Sequence, residues 1–214
     1  MPPARLTSLD VIFRDETLLV VNKPAGMLAV PGRGEDKSDS LVTRAQQEFP
    51  DALVVHRLDM STSGLMLLAR GAEAQRRLSR MFRERQITKR YVASVLGQME
   101  APEGEINLPI SSDWPNRPKQ KVSHDEGKPS LTRYRLLDYD AANNVSHVEL
   151  EPVTGRTHQL RVHLAAISHP ILGDPLYGGE AHALAERLLL HARSLELNHP
   201  FSAMPLSFCC EPPF

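Results

Sequence analysis

Strand-like segments outnumber helical ones in this chain of 214 residues, and most of them follow one another directly. Apolar and polar residues alternate over 131–139 and over 145–153, and the Ala-Ala-Asn-Asn sequence at 141–144 indicates a turn between two antiparallel strands. Further strands are predicted at 11–24 (a hairpin), 91–96, 188–197 and 206–209. Strands that are not separated by helices favour an α+β fold, with a large, mixed, mostly antiparallel sheet flanked by helices.

Three segments have the pattern of amphipathic helices. They are 41–49, capped by Ser38 or Asp39; 72–86; and 157–166, capped near Thr154 or Thr157. In the second of them, Leu78, Met81 and Phe82 have the spacing of a buried stripe, and the arginines fall on the other face. Residues 102–107 are predicted to be a connection, and 30–40, which contains prolines and glycines, a loop.

Composition describes an ordinary globular protein, with 41% hydrophobic and 24% charged residues. No apolar run approaches the roughly 20 residues that cross a bilayer, and the first residues lack the apolar segment of a secretory signal. Cys209 and Cys210 are the only cysteines, too few for a disulfide framework or a zinc site. We therefore expect one continuous domain over 1–214, in a reducing cytoplasm, that does not bind membranes. The protein is also expected to be a monomer.

The net charge is −1, but the charges are unevenly distributed. Residues 70–91 contain eight basic and two acidic side chains, and residues 113–135 contain six basic and three acidic ones. Such positive zones are consistent with a polyanion that docks along one face. For the first zone, a solvated helix face is an equally good interpretation.

Asp59 lies between Arg57 and a turn sequence, Ser61-Thr62-Ser63-Gly64, which an apolar run follows. Burial disfavours a lone carboxylate, so one at the rim of a core normally has a partner or a chemical role. Asp59 is therefore a candidate nucleophile or general base. From spacing alone, a surface ion pair or a turn cap would explain the same pattern.

The nine residues from His56 to Gly64 resemble the signature His-Arg-Leu-Asp-x-x-Thr-Ser-Gly of the RluA-type pseudouridine synthases. Three more segments match motifs of that family in the same order: Asn22–Gly26, Lys89–Ala93 and Gly155–His163. The resemblance implies the pseudouridine synthase fold, with a cleft that receives RNA. It also implies an isomerase that converts uridine to pseudouridine in RNA, with neither cofactor nor metal.

By this resemblance Asp59 is the catalytic residue, attacking either the ribose anomeric carbon or the uracil ring. Arg161 matches the arginine that holds the carboxylate ionised, and Tyr91 matches the active-site tyrosine that stacks on the uracil. Arg57 matches the arginine that inserts into the RNA when the base is extruded, although locally it could equally pair with Asp59. His56 is expected to be a structural hydrogen-bond donor.

A second group of residues is assigned to RNA binding. Its members are Arg117, Lys119 and Lys121, in a loop that interleaves Trp114 with cations, and Arg156 and His158 of the last motif. The family's first motif, Asn22–Gly26, is expected to support the floor of the site. The chain resembles the short, dual-specificity members of the family, which have no N-terminal S4 domain. This implies two structured substrates, a 23S rRNA hairpin loop and the tRNA anticodon loop.

Two alternatives compete with this interpretation. One is a non-catalytic RNA-binding or ribosome-assembly protein, which would use the same basic faces and would tolerate Asn at position 59. The other is a hydrolase of nucleosides or sugars, which needs a second carboxylate near Asp59. Asp174 and Glu151 are the candidates for that carboxylate, and neither lies in a motif that supports the role.

Overall fold

The computed structural model describes residues 9–32 and 38–214. The chain divides into two compact units. The first contains the described residues up to Ile87 together with Glu196–Glu211, and the second contains Thr88–Leu195 together with Pro212–Phe214. Residues 33–37 of the predicted loop lie outside the described part of the chain. That the chain forms one continuous catalytic domain remains a prediction.

The first unit is built on antiparallel strands with two helices. Its elements are β1 (Val11–Arg14), β2 (Leu18–Lys23), α1 (Leu41–Glu48), β3 (Ala52–Val54), β4 (Ser63–Arg70), α2 (Ala72–Arg83) and β12 (Pro205–Cys209). β2 pairs with β1 and with β4, and β4 also pairs with β3, every pair antiparallel. The predicted hairpin over 11–24 is confirmed. Leu18–Val21 and Leu65–Ala69 are completely buried, as continuous apolar strands at the centre of a core should be.

The second unit contains a four-stranded antiparallel array, a smaller hairpin and one α-helix. Its elements are β5 (Thr88–Leu96), β6 (Glu103–Asn107), β7 (Ile110–Ser112), β8 (Gln120–Val122), β9 (Leu131–Asp140), β10 (Val145–Pro152), α3 (Gln159–Ala166) and β11 (Leu190–Asn198), of which the last three residues belong to the first unit. The strand order is β5-β10-β9-β6, and β7 pairs separately with β8. The predicted β9–β10 hairpin and the predicted α+β class are confirmed.

Three local predictions are wrong. Ser40 caps α1, because its hydroxyl accepts from the Thr43 N–H (3.2 Å) while its own N–H donates to the Thr43 hydroxyl (3.0 Å). α3 begins after His158, a residue in the left-handed conformation (φ 55°) that makes no side-chain cap. Residues 102–107 are predicted to be a connection, whereas Glu103–Asn107 form the strand β6.

Other observed boundaries differ slightly from the predicted ones, and the predicted buried stripe of α2 is confirmed in part. α2 ends at Arg83, three residues before the predicted end. Leu78 of its apolar stripe is fully buried, whereas Met81 and Phe82 are half-buried.

No helix within 9–32 and 38–214 is both long enough and apolar enough to cross a membrane.

Candidate active site

The signature segment forms the connection from β3 to β4 in the first unit. The Thr62 N–H donates to the Asp59 carbonyl (3.1 Å), which closes a turn directly after the aspartate. Thr62 and Ser63 are buried, and Gly64 has a φ of 109°, where a side chain would be strained. The turn therefore fixes the backbone at Asp59, whose side chain is half-buried rather than sealed in the core.

Lys23 anchors this turn from beneath. Its side chain is completely buried, and its ammonium donates to the carbonyls of Pro24 (2.9 Å), Met27 (2.9 Å) and Met60 (3.0 Å). The Gly26 N–H also donates to the Met60 carbonyl (2.9 Å). The motif Asn22–Gly26 thus holds the residue next to Asp59 in place, which agrees with the structural role expected of it. No sequence pattern singles out Lys23 within that motif.

The residues before Asp59 have contrasting surroundings. Arg57 is exposed, and Leu58 is buried. The His56 Nε2 accepts a hydrogen bond from the Leu67 N–H (2.9 Å), and its ring stacks on Phe82 with 4.5 Å between centroids. His56 is therefore structural, as expected, but in this bond it is an acceptor and not the predicted donor, because the nitrogen facing a backbone N–H must be unprotonated.

In the second unit, the motif Gly155–His163 is organised by Gln159. This buried amide accepts from the Thr154 hydroxyl (2.7 Å) and from the Arg156 N–H (3.0 Å), and it donates to the Leu131 carbonyl (2.9 Å) and the Thr132 hydroxyl (3.0 Å). Four hydrogen bonds satisfy the amide completely. The start of α3 is thereby tied to the first residues of β9.

Arg161 and Asp174 form a bidentate ion pair inside the second unit. Arg161 Nε lies 2.8 Å from Asp174 Oδ2 and Nη2 lies 2.7 Å from Oδ1, with side chains 2% and 1% exposed. Burial alone would raise the pKa of Asp174, but the Arg161 hydrogen bonds and charge and the N–H groups of Leu176 and Tyr177 outweigh it and lower that pKa below its ordinary value. Asp174 is ionised and fixes the direction of the Arg161 guanidinium.

This pair also bears on the hydrolase alternative. Asp174 accepts four hydrogen bonds and has a lowered pKa, so it is poorly suited to deliver a proton as a general acid. Glu151 forms a cross-strand ion pair with Arg133 (3.6 Å). Both candidates for a second catalytic carboxylate therefore have structural partners.

Tyr177 links two of the predicted RNA-binding segments. Its hydroxyl lies 2.7 Å from His158 Nδ1 and accepts from the Gln120 N–H (2.8 Å), and its ring centroid lies 5.1 Å from the Arg161 guanidinium carbon. Tyr177 is therefore a positioning residue that no sequence motif indicated.

His163 of the same motif has a structural role. It is buried between the Thr132 hydroxyl and the Leu108 carbonyl, and burial lowers its pKa. It is therefore a neutral structural residue.

The remaining predicted site residues occupy strands and loops of the second unit. Tyr91, on β5 opposite Leu150 of β10, is half-buried and packs against the core. Arg117 and Lys121 are exposed, and Lys119 is half-buried, all near the β7–β8 hairpin. Arg156 is also exposed, with its guanidinium 3.4 Å from the Pro129 carbonyl. Asp59 and Arg57 belong to the first unit and these residues to the second, so the predicted pairing of Arg161 with Asp59 remains a prediction.

Along α2, three of the arginines in the positive zone form ion pairs. Glu73 bonds to both Arg76 and Arg77, and Arg80 bonds to Glu84 (2.7 Å). This arrangement favours the interpretation of α2 as a solvated helix face.

Across the described residues, no group of three His, Cys, Asp or Glu side chains is arranged to hold a metal ion.

Comparison with known proteins places these motifs in one family. A family model described as RNA pseudouridylate synthase matches residues 17–166, a segment that contains all four motifs. The chain belongs to the RNA pseudouridylate synthase family. The resemblance of the four motifs is confirmed, and with it the enzyme class: an isomerase that converts uridine to pseudouridine in RNA.

Individual relatives extend the match to almost the full length. The chain is 51% identical over 201 residues to the dual-specificity RNA pseudouridine synthase RluA of Escherichia coli strain K12, covering 94% of this chain and 91% of that protein. It is 49% identical over 205 residues to RluA of Yersinia pestis, covering 95% and 99%. The structure of human RNA pseudouridylate synthase domain containing 1 superposes with a TM-score of 0.82 at 32% identity, covering 100% of this chain and 87% of that one.

Proposed function

We propose that this pseudouridine synthase acts on two structured RNAs, a 23S rRNA hairpin loop and the tRNA anticodon loop. The observation that carries this proposal is the identity of about 50% to proteins named dual-specificity RNA pseudouridine synthases, over nearly the whole of both chains. The enzyme works as a monomer in the cytoplasm. The chain has two cysteines, Cys209 and Cys210, too few for a disulfide framework, which is consistent with that compartment.

Asp59 is the catalytic carboxylate in this proposal. Its half-buried position above a rigid turn, held by Thr62 and by Lys23, provides a fixed nucleophile that can still reach a substrate. The aspartate adds either to the ribose anomeric carbon or to the uracil ring. The glycosidic bond to N1 breaks, the uracil turns, and its C5 bonds to the ribose. The bond between the aspartate and the substrate then breaks, which restores the carboxylate, while the C5 proton leaves and N1 takes up a proton.

Other side chains hold the extruded nucleotide. Arg161, oriented by Asp174, supplies a fixed guanidinium for the nucleophile, and Tyr91 stacks on the uracil ring. Arg57 is exposed and fills the gap that the base leaves in the RNA. The cations Arg117, Lys119, Lys121 and Arg156, together with His158, contact the RNA around the target. Recognition then depends on RNA shape and splayed loop bases, because such loops offer unstacked bases.

Site mapping tests the substrate assignment directly. Carbodiimide modification followed by primer extension, applied to total rRNA and tRNA from a deletion strain, should show that one 23S rRNA site and the anticodon-loop sites lose pseudouridine together. Plasmid-borne parent enzyme should restore both, and Asp59→Asn should restore neither. Loss at only one RNA class would contradict dual specificity, and restoration of both sites by Asp59→Asn would favour a non-catalytic RNA-binding protein.

A further inference from the structure

The β7–β8 hairpin presents an unusual pair of side chains. Trp114 is 67% exposed, more than any other large hydrophobic residue in the described part of the chain. The Arg117 guanidinium carbon lies 3.6 Å from the centroid of the Trp114 ring, so a cation is stacked against the aromatic surface. Leaving an indole this exposed has no benefit for folding, because burial of apolar area stabilises a protein.

The loop that carries this pair is rigidly built. Asp113 accepts from the Asn116 N–H (3.1 Å) and, through Oδ2, from the Asn116 amide (2.9 Å), while its own N–H donates to the Lys119 carbonyl (3.0 Å). Asn116 in turn accepts from the Lys119 N–H (3.0 Å). Trp114 is therefore held in place without being covered, which lowers the entropy cost of binding through it.

A second connection joins the loop to the motif Gly155–His163 of the same unit. The Gln120 N–H donates to the Tyr177 hydroxyl, which also bonds His158 and whose ring lies against Arg161. The exposed indole is thus fixed relative to the arginine assigned to the active site. Three cations, Arg117, Lys119 and Lys121, accompany it and favour a negatively charged ligand.

We propose that Trp114, backed by Arg117, is a stacking platform for an unpaired base of the substrate RNA, outside the pocket of the target uridine. This inference rests on the proposed function, since it takes the ligand to be the substrate RNA. An aromatic face next to cations is the arrangement by which proteins bind single-stranded nucleic acid, and every base can stack on it. Trp114 then adds to the binding of RNA while taking no part in bond making.

The chain provides its own reporter, because Trp114 is the only tryptophan. In an Asp59→Ala background, which prevents turnover, titration with an unmodified RNA hairpin should quench the tryptophan emission at the same RNA concentration at which a mobility shift shows binding. Trp114→Ala should weaken RNA binding by about 5- to 150-fold, as expected for the loss of one base stack, and the loss should appear in KM. Trp114→Phe should recover most of the affinity.

Leu184 provides the matched control, because it is 56% exposed in the same unit and lies outside the proposed platform. Leu184→Ala should leave RNA affinity unchanged. Unchanged emission on RNA that is fully bound, or parental affinity in Trp114→Ala, would overturn the proposal. Because the fluorescence assay needs no turnover, it separates failure of the platform from failure of the proposed reaction.

Discussion

Replacing Asp174 with Asn should destabilise the second unit strongly, although the two side chains have nearly the same shape. The substitution removes the negative charge and replaces one carboxylate oxygen with an amide donor that faces the Arg161 guanidinium. Removal of one partner from a buried ion pair costs about 3–5 kcal/mol, because the other charge stays in a poorly solvated place. At a urea m-value of about 2 kcal/mol/M, the midpoint would fall by about 2 M.

Glu105→Gln is the matched control for this experiment. Glu105 also pairs with an arginine, Arg133, but the two side chains are 55% and 54% exposed. An exposed pair contributes less than about 1 kcal/mol, so the same carboxylate-to-amide change should barely move the midpoint. The assay is urea unfolding followed by circular dichroism. Equal shifts for Asp174→Asn and Glu105→Gln would refute the reasoning.

The pH dependence gives an independent check of the same pair. The pKa of Asp174 in the folded protein lies below the ordinary value of 3.8. The ionised carboxylate therefore contributes its full stabilisation at pH values above 3.8, and this stabilisation is lost as the pH falls from 3.8 through the folded pKa. Asp174→Asn should therefore lose less stability than the parent on acidification. The free energy of unfolding from urea titrations at several pH values below about 5 tests this, and parallel acid profiles would contradict it.

Three further substitutions have expected outcomes. Lys23→Met should destabilise the first unit by more than about 2 kcal/mol in urea unfolding, because the carbonyls that its ammonium bonds lose their donor. Lys128→Met is the control and should not destabilise the protein, since Lys128 is exposed. Equal urea midpoints for the two variants would contradict the anchoring role of Lys23. Arg57→Ala should keep the parental melting temperature, since its side chain is exposed, but should slow turnover on structured RNA; full turnover would exclude insertion into the RNA. Tyr91→Phe should slow turnover, because the hydroxyl of the active-site tyrosine would assist removal of the C5 proton; a parental rate would leave stacking as the only role of that ring.

Sequence alone predicts the parts of the fold in which local pattern and tertiary environment agree. The alternation that predicts β9 and β10 reflects side chains that are more buried and more exposed in turn along each strand. Local pattern does not predict β6, because its sequence, Glu-Gly-Glu-Ile-Asn, has low strand propensity, which pairing with β9 overrides. Gly104 fits there because a Cβ would lie 2.7 Å from the Tyr134 hydroxyl, a contact invisible in the sequence.

The candidate site divides in the same way. Asp59, Tyr91 and Arg161 lie within motifs, so a resemblance can find them. Asp174 is 13 residues beyond Arg161 and Tyr177 is 19 beyond His158, and their roles come from tertiary contacts that leave no local pattern. Likewise, the sequence of α2 is compatible with a polyanion site and with a solvated helix face, and only the structure shows that Glu73 and Glu84 lie at ion-pairing distance from its arginines.

The most direct test follows the C5 hydrogen of the target uridine, which must leave when C5 becomes bonded to the ribose. Unmodified RNA hairpins that carry tritium at uracil C5 should release tritium to water on incubation with the parent enzyme, without added cofactor, and no free uracil should form. Asp59→Asn should bind the same RNA and release none. Tritium release by Asp59→Asn at the parental rate, or release of free uracil by the parent, would contradict an isomerase that acts through this carboxylate.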